Sequence, residues 1–193
     1  MTKTSEAQDV RLPIISESAA TGATAQLYAE IRDHFGFGFV PDVFQLPGAR
    51  ASFLRTLWSG FRSMFTEGVL PQETKELIAV YVARDAGCRY CVDAHVLFLD
   101  LIGASPEVAE AVREAAVDDM PVDKKVRELL RFVQRIDHEA YKIVDADIRR
   151  LRELGWTDDE LLEAIWTACL FNAIVRLVNT LGLYRIGQLT TPA

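Results

Sequence analysis

The chain is poor in the residues that staple or ligate. Of its 193 residues only three are cysteine (Cys88, Cys91, Cys169) and three histidine (His34, His95, His138). That is too few for a structural disulfide framework, and no second C-x-x-C exists to complete a thiolate zinc site. Positive charge is also short. The balance of 21 Lys+Arg against 28 Asp+Glu leaves −7 and no basic stripe, so neither nucleic acid nor an anionic membrane is an expected partner. No run approaches the roughly 18 uncharged apolar residues of a membrane span: the greasiest stretch, Leu161 to Leu183, is broken by Glu163, Asn172, Arg176 and Asn179. Met1 to Val10 lacks the basic-then-apolar pattern of a secretory signal. A reducing, cytoplasmic setting is therefore expected, where a close cysteine pair is redox-active or metal-binding.

What remains is a globular composition, half hydrophobic and a quarter charged, in a length that suits one core. Alternating strand patterns are scarce and helical spacing runs through most of the chain, which predicts an all-α fold. Helices are expected over Thr21–His34, Gly48–Phe65, Pro71–Ala86, Cys88–Ile102, from Ser105-Pro106 onward, Asp123–Tyr141, Ile143–Leu154 and Thr157–Leu183. Phe35–Pro47, with Gly36, Gly38, Pro41 and Pro47, reads as an extended loop. Thr157 and Glu160 form a capping box. Residues 1–20 read as a tail and 21–193 as one domain.

An internal echo runs through this domain at an offset of 52 residues, over about 71–117 and 123–169. Lys75-Glu76-Leu77-Ile78 aligns with Arg127-Glu128-Leu129-Leu130, Asp85 with Asp137, Gly103 with Gly155 and Ser105 with Thr157. Cys88, Cys91 and His95 fall opposite Ala140, Ile143 and Asp147, so only the first copy carries reactive groups.

Those groups are clustered. On a helix, Cys88 and Cys91 are about 4.5 Å apart along the axis, within disulfide range. His95 follows one turn after Cys91 on the same face, where an imidazole can take a thiol proton. The helix N-terminus favours a thiolate most at Cys88, while the histidine favours Cys91. Zinc is the competing reading, since C-x-x-C-x-x-x-H offers three ligands. Glu76 is either a solvated boundary carboxylate or the acceptor that orients His95. Cys169, between Ala168 and Leu170, reads as a small buried hydrophobe. Asn172, Arg176 and Asn179 read as a satisfied polar seam or a subunit contact rather than a pocket lining.

The set Glu76, Cys88, Cys91 and His95 resembles the motif of the alkylhydroperoxidase D (AhpD)-like proteins of the carboxymuconolactone decarboxylase superfamily. The glutamate stands twelve residues before the first cysteine and the histidine four after the second. The Val40-Pro41 loop and Phe171-Asn172-Ala173…Arg176-Leu177…Asn179 are similar to the peroxidase-related branch. The resemblance implies an all-α fold with duplicated helical units, assembled as trimers or hexamers. It implies a thiol peroxidase that reduces alkyl hydroperoxides, with Cys91 as the attacking thiolate, Cys88 as resolving thiol and proton donor, and His95 with Glu76 as proton relay. It needs no cofactor or metal, but an external dithiol or lipoyl-protein reductant. Tyr90 stands where some AhpD proteins have histidine, so a relay through that histidine has no counterpart here. The alternatives are a carboxymuconolactone decarboxylase-like lyase, which needs no C-x-x-C, and a non-enzymatic redox or zinc module.

Overall fold

A computed structural model describes residues 10–184 and 186; residues 1–9 of the expected tail and 187–193 of the expected domain lie outside this range. The described chain is all-α. Its helices are α1 (Gly22–Phe35), α2 (Asp42–Gln45), α3 (Ala51–Phe65), α4 (Gln72–Asp85), α5 (Arg89–Leu101), α6 (Pro106–Glu114), α7 (Lys124–Glu139), α8 (Asp145–Glu153) and α9 (Asp158–Leu181), with single 3₁₀ turns at Glu17–Ala19, Val117–Asp119 and Ala140–Lys142.

Local chemistry sets several helix ends. Ser105 Oγ accepts the Val108 amide and Asp123 Oδ1 accepts that of Val126, each satisfying an amide that has no partner inside its helix. Thr157 Oγ1 accepts the Glu160 amide while Glu160 Oε2 takes the Thr157 amide at 2.7 Å, which is the capping box read from sequence. Gly182, at φ 80°, stops α9 in the left-handed conformation that glycine tolerates best.

The centre of the fold is α4. Every residue from Thr74 to Ala83 is buried, as expected of a helix covered on all sides. It packs against α5, α7 and α9. A second, aromatic-rich core joins Tyr28 and Ile31 of α1 to Phe44 of α2 and Leu54 and Trp58 of α3. Helix starts follow the sequence offset of 52: Gln72 and Lys124, then Pro106 and Asp158. Gly103 and Gly155 both adopt positive φ, 78° and 91°.

Three departures from the sequence reading have physical causes. The Phe35–Pro47 segment is not wholly extended but contains the single turn α2, which buries Phe44 between Trp58 and Phe61; tertiary packing stabilises a turn too short for periodicity to reveal. Helix α3 begins at Ala51 rather than Gly48. Gly48 lies against the Tyr28 hydroxyl, where a Cβ would sit 2.2 Å away. Residues 10–20 are tied down. Arg11 donates to the carbonyls of Asn179 and Thr180 at the end of α9, at 2.7 and 2.8 Å, and Glu17 accepts the Val40 amide at 2.7 Å.

By length and composition α9 could cross a membrane, with mean hydropathy 1.7 over its most apolar window. Glu163, Asn172, Arg176 and Asn179 interrupt it. In the fold, α9 packs against α3, α4 and α7 as a core helix.

Candidate active site

The four candidate residues come from two consecutive helices of the first repeat copy. Helix α4 carries Glu76 and α5 carries Cys91 and His95, with Cys88 as its N-cap. Gly87, at φ 64°, turns the chain between them. The sulfurs of Cys88 and Cys91 are 2.7 Å apart and both thiols are free. They are nearly sealed from solvent, at 1% and 3% exposure.

Glu76 proves to be a buried acceptor rather than a solvated carboxylate. Its Oε2 lies 2.5 Å from Nδ1 of His95, and its Oε1 accepts the side-chain amide of Gln72 at 2.7 Å. With the carboxylate ionised, Nδ1 must carry the proton, which makes Nε2 the basic ring nitrogen. Gln72, one helical turn before Glu76, was not singled out in the sequence; an amide at i−4 of a buried carboxylate is the signal that marks it. His95 is caged by aromatic rings, with Phe171 at 4.7 Å edge-on, Phe65 at 4.9 Å and Phe98 at 5.8 Å.

Cys91 and His95 line a cleft of about 480 Å³, open mouth included, and Cys88 lies behind it. Buried Tyr90, Ala94, Phe171 and Ile174 complete the floor, while half-buried Phe35, Val43, Leu57 and Phe98 stand nearer the mouth. Tyr90, the residue between the cysteines, accepts the Val43 amide at 3.3 Å and so anchors the α2 segment over the thiol pair. Burial pushes its phenol far up, leaving it neutral.

The two thiols are electrostatically unlike. The hydrogen bond between the two thiols lowers Cys88 and raises Cys91, the latter reinforced by burial and by the Cys88 charge. These are two views of one shared proton: the contact favours negative charge on Cys88, at the helix N-terminus, over Cys91. Cys91 is the thiol that faces the cleft.

Other candidates fall elsewhere. Asn172 donates to Asp137, Arg176 to the Asn172 carbonyl at 2.9 Å, and Asn179 to the Ala86 carbonyl at 2.8 Å. They form a polar seam, whereas α9 presents Phe171 and Ile174 to the cleft. Cys169 is exposed, not buried as its apolar neighbours suggested; it lies on the outward stripe Leu162, Trp166, Cys169, Ala173 of α9. Among the described residues no three His, Cys, Asp or Glu side chains converge as a metal-holding group, and Cys88, Cys91 and His95 do not do so.

This arrangement has relatives. The model of the Carboxymuconolactone decarboxylase family matches residues 47–120, a segment that contains Glu76, Cys88, Cys91 and His95. A peroxidase-related protein from Ralstonia eutropha, described as an alkylhydroperoxidase AhpD core, superposes with a TM-score of 0.83 at 25% identity, covering 93% of this chain and 94% of its own. In that segment and in its fold the chain is similar to the AhpD-like carboxymuconolactone decarboxylase proteins. A peroxidase-related protein from Silicibacter shares the AhpD-like fold over 98% of this chain and 99% of its own, with a TM-score of 0.80 at 23% identity. Among curated proteins, an alkyl hydroperoxide reductase of Mycobacterium tuberculosis is 32% identical over 95 residues. That match spans 49% of this chain and only 27% of the relative's length.

Proposed function

We propose that this AhpD-like chain is a thiol peroxidase that reduces organic hydroperoxides through Cys88 and Cys91. The observation that carries the reading is the sulfur pair at 2.7 Å, with one member on the floor of an apolar cleft beside a histidine held by a buried glutamate. The curated relative's name, alkyl hydroperoxide reductase, supports the same chemistry. A lyase has no use for the paired sulfurs.

The steps follow from the proton inventory. The Cys91 proton passes to the Cys88 thiolate across the 2.7 Å contact, leaving a Cys91 thiolate facing the cleft. Its sulfur attacks the distal oxygen of ROOH, the O–O bond breaks, and the leaving alkoxide takes the proton from Cys88 to become ROH. Cys91 is now a sulfenic acid and Cys88 a thiolate again. Cys88 attacks the Cys91 sulfur and expels hydroxide, closing the Cys88–Cys91 disulfide. One proton from solvent, relayed through His95 and Glu76, converts that hydroxide to water. An external dithiol or a lipoyl protein then reduces the disulfide by exchange. Cys88 is thus base, acid and resolving thiol in turn, which removes the conflict between helix dipole and histidine spacing. Homo-oligomeric assembly and a reducing cytoplasmic setting belong to the same proposal.

Single-turnover oxidation of the reduced protein by cumene hydroperoxide tests it. Cys91→Ser should lose at least about a thousandfold in rate. Cys88→Ser should halt at a sulfenic acid that dimedone traps, and His95→Gln should slow the reaction by about a hundredfold or more. Undiminished oxidation of the Cys91→Ser protein would overturn the assignment.

A further inference from the structure

We infer that the cleft selects hydroperoxides whose peroxide-bearing carbon carries an aromatic ring, over aliphatic hydroperoxides and over hydrogen peroxide. The inference rests on the peroxidase reading and extends it to substrate class.

Five helices each contribute aromatic surface to one small cleft: Phe35 from α1, Phe44 from α2, Phe61 from α3, Tyr90 and Phe98 from α5, and Phe171 from α9. Their mutual geometry is mixed. Phe35 and Phe98 lie stacked at 6.1 Å, whereas Phe44 stands edge-on to Phe61 at 5.3 Å. The cleft therefore offers ring faces and ring edges together, the two arrangements in which a further aromatic ring gains more than its buried area alone provides. A saturated group of equal size gains the area and not the ring contacts.

Polar groups are confined to the floor. Of the lining residues only Cys91, His95 and Tyr90 carry polar side chains, and the Tyr90 oxygen already accepts the Val43 amide. A peroxide head finds partners at one end and its organic body meets only apolar walls. Hydrogen peroxide has no apolar body, so it gives up water hydrogen bonds on entering and recovers little.

The sequence extends this wall outward. In Phe35-Gly36-Phe37-Gly38-Phe39 both glycines adopt positive φ, 68° and 77°, a conformation that L side chains rarely accept. The alternation stacks the three rings in a row, with centroids 5.4 Å apart for Phe35 and Phe37 and 5.7 Å for Phe37 and Phe39. Phe37 also stacks on Phe98 at 6.3 Å. The row leads from the surface to the rings nearest the mouth, an aromatic approach that no catalytic step requires.

The test is the single-turnover rate of disulfide formation with four oxidants. Cumene and tert-butyl hydroperoxide share a tertiary dimethyl carbon and differ by one phenyl in place of methyl; p-menthane hydroperoxide carries a saturated ring there; the fourth is hydrogen peroxide. Cumene hydroperoxide should exceed tert-butyl by about tenfold, p-menthane by about threefold and hydrogen peroxide by about a hundredfold. Phe98→Leu should narrow the cumene to p-menthane ratio towards one. Phe37→Leu, on the half-buried outer rung, should narrow it less and guards against misfolding of the first variant. Equal rates for cumene and p-menthane hydroperoxides would overturn the inference and leave the peroxidase reading standing. If none of the four oxidises the pair, the peroxidase reading fails, and the inference with it.

Discussion

Glu76 and Glu128 occupy equivalent places in the two repeat copies and are both buried, at 3% and 7% exposure, yet they serve opposite ends. Glu76 faces the Gln72 amide and the His95 ring. Glu128 is bracketed by guanidinium groups, with Arg131 on one oxygen and Arg150 on the other at 2.8 Å. The rest of each copy follows suit. Opposite His95 stands Asp147, ion-paired with Arg135; opposite Cys91 stands Ile143, packed on the core. One arrangement sets a buried carboxylate against an imidazole. The other sets it between two guanidinium groups. The same helical frame thus holds the candidate site at one glutamate and a clamp at the other, the difference lying in which partners the carboxylate is given.

The comparison breaks cleanly if each glutamate is made neutral. Glu76→Gln should lower the rate of hydroperoxide reduction by about a hundredfold, within the range of acid–base contributions, while thermal unfolding moves little. Glu128→Gln should do the reverse. Turnover persists, but two arginines lose a shared carboxylate and stability falls by about 1–3 kcal/mol, the lower side of the cost of breaking a buried pair because both arginines reach solvent. Turnover and unfolding measured on the same two proteins decide whether the copies have separated their roles. Equal losses of activity in both variants would erase the distinction.

A finer test addresses Gln72. Its amide holds Glu76 Oε1 and so positions the carboxylate for His95. Gln72→Leu should slow the reaction about three- to tenfold and displace its pH–rate profile, whereas Gln72→Asn or a merely structural change would not move the profile in the same way.

The smallest effect concerns the aspartates at the helix ends. Asp85 pairs with His138 at 3.0 Å, but its counterpart Asp137 keeps one oxygen buried without a partner. Burial pushes the Asp137 carboxyl up to about 6. A carboxyl raised in the fold holds its proton while the unfolded chain has released it, so its contribution to stability falls as pH rises from about 4 through 6. Asp137→Asn should remove that loss and raise the melting temperature by a few degrees at pH 7, with little change at pH 4. A pH-independent effect would contradict this reading.

Much of this contrast was legible in the residues. The offset of 52 aligned Glu76 with Glu128 and left the cysteines and His95 in one copy only. Helix caps at Ser105, Asp123 and Thr157 needed only local chemistry. What could not be read were the contacts between distant segments. Gln72 gives no signal until Glu76 is seen to be buried, nothing near Tyr90 in the sequence marks its contact with Val43, and the cleft's rings come from five helices that no local pattern joins. Cys169 shows the reverse error, because apolar neighbours along the sequence do not tell which way a long helix is turned.

The central claim is that Cys88 and Cys91 form the working redox couple. Its most direct test is the intact mass of the fully reduced protein before and after one equivalent of cumene hydroperoxide, with the product mapped by peptides. The predicted result is a rapid loss of about 2 Da located at Cys88–Cys91, reversed by a dithiol, with Cys169 still free. An unchanged mass, or a gain of about 16 Da confined to exposed Cys169, would contradict it.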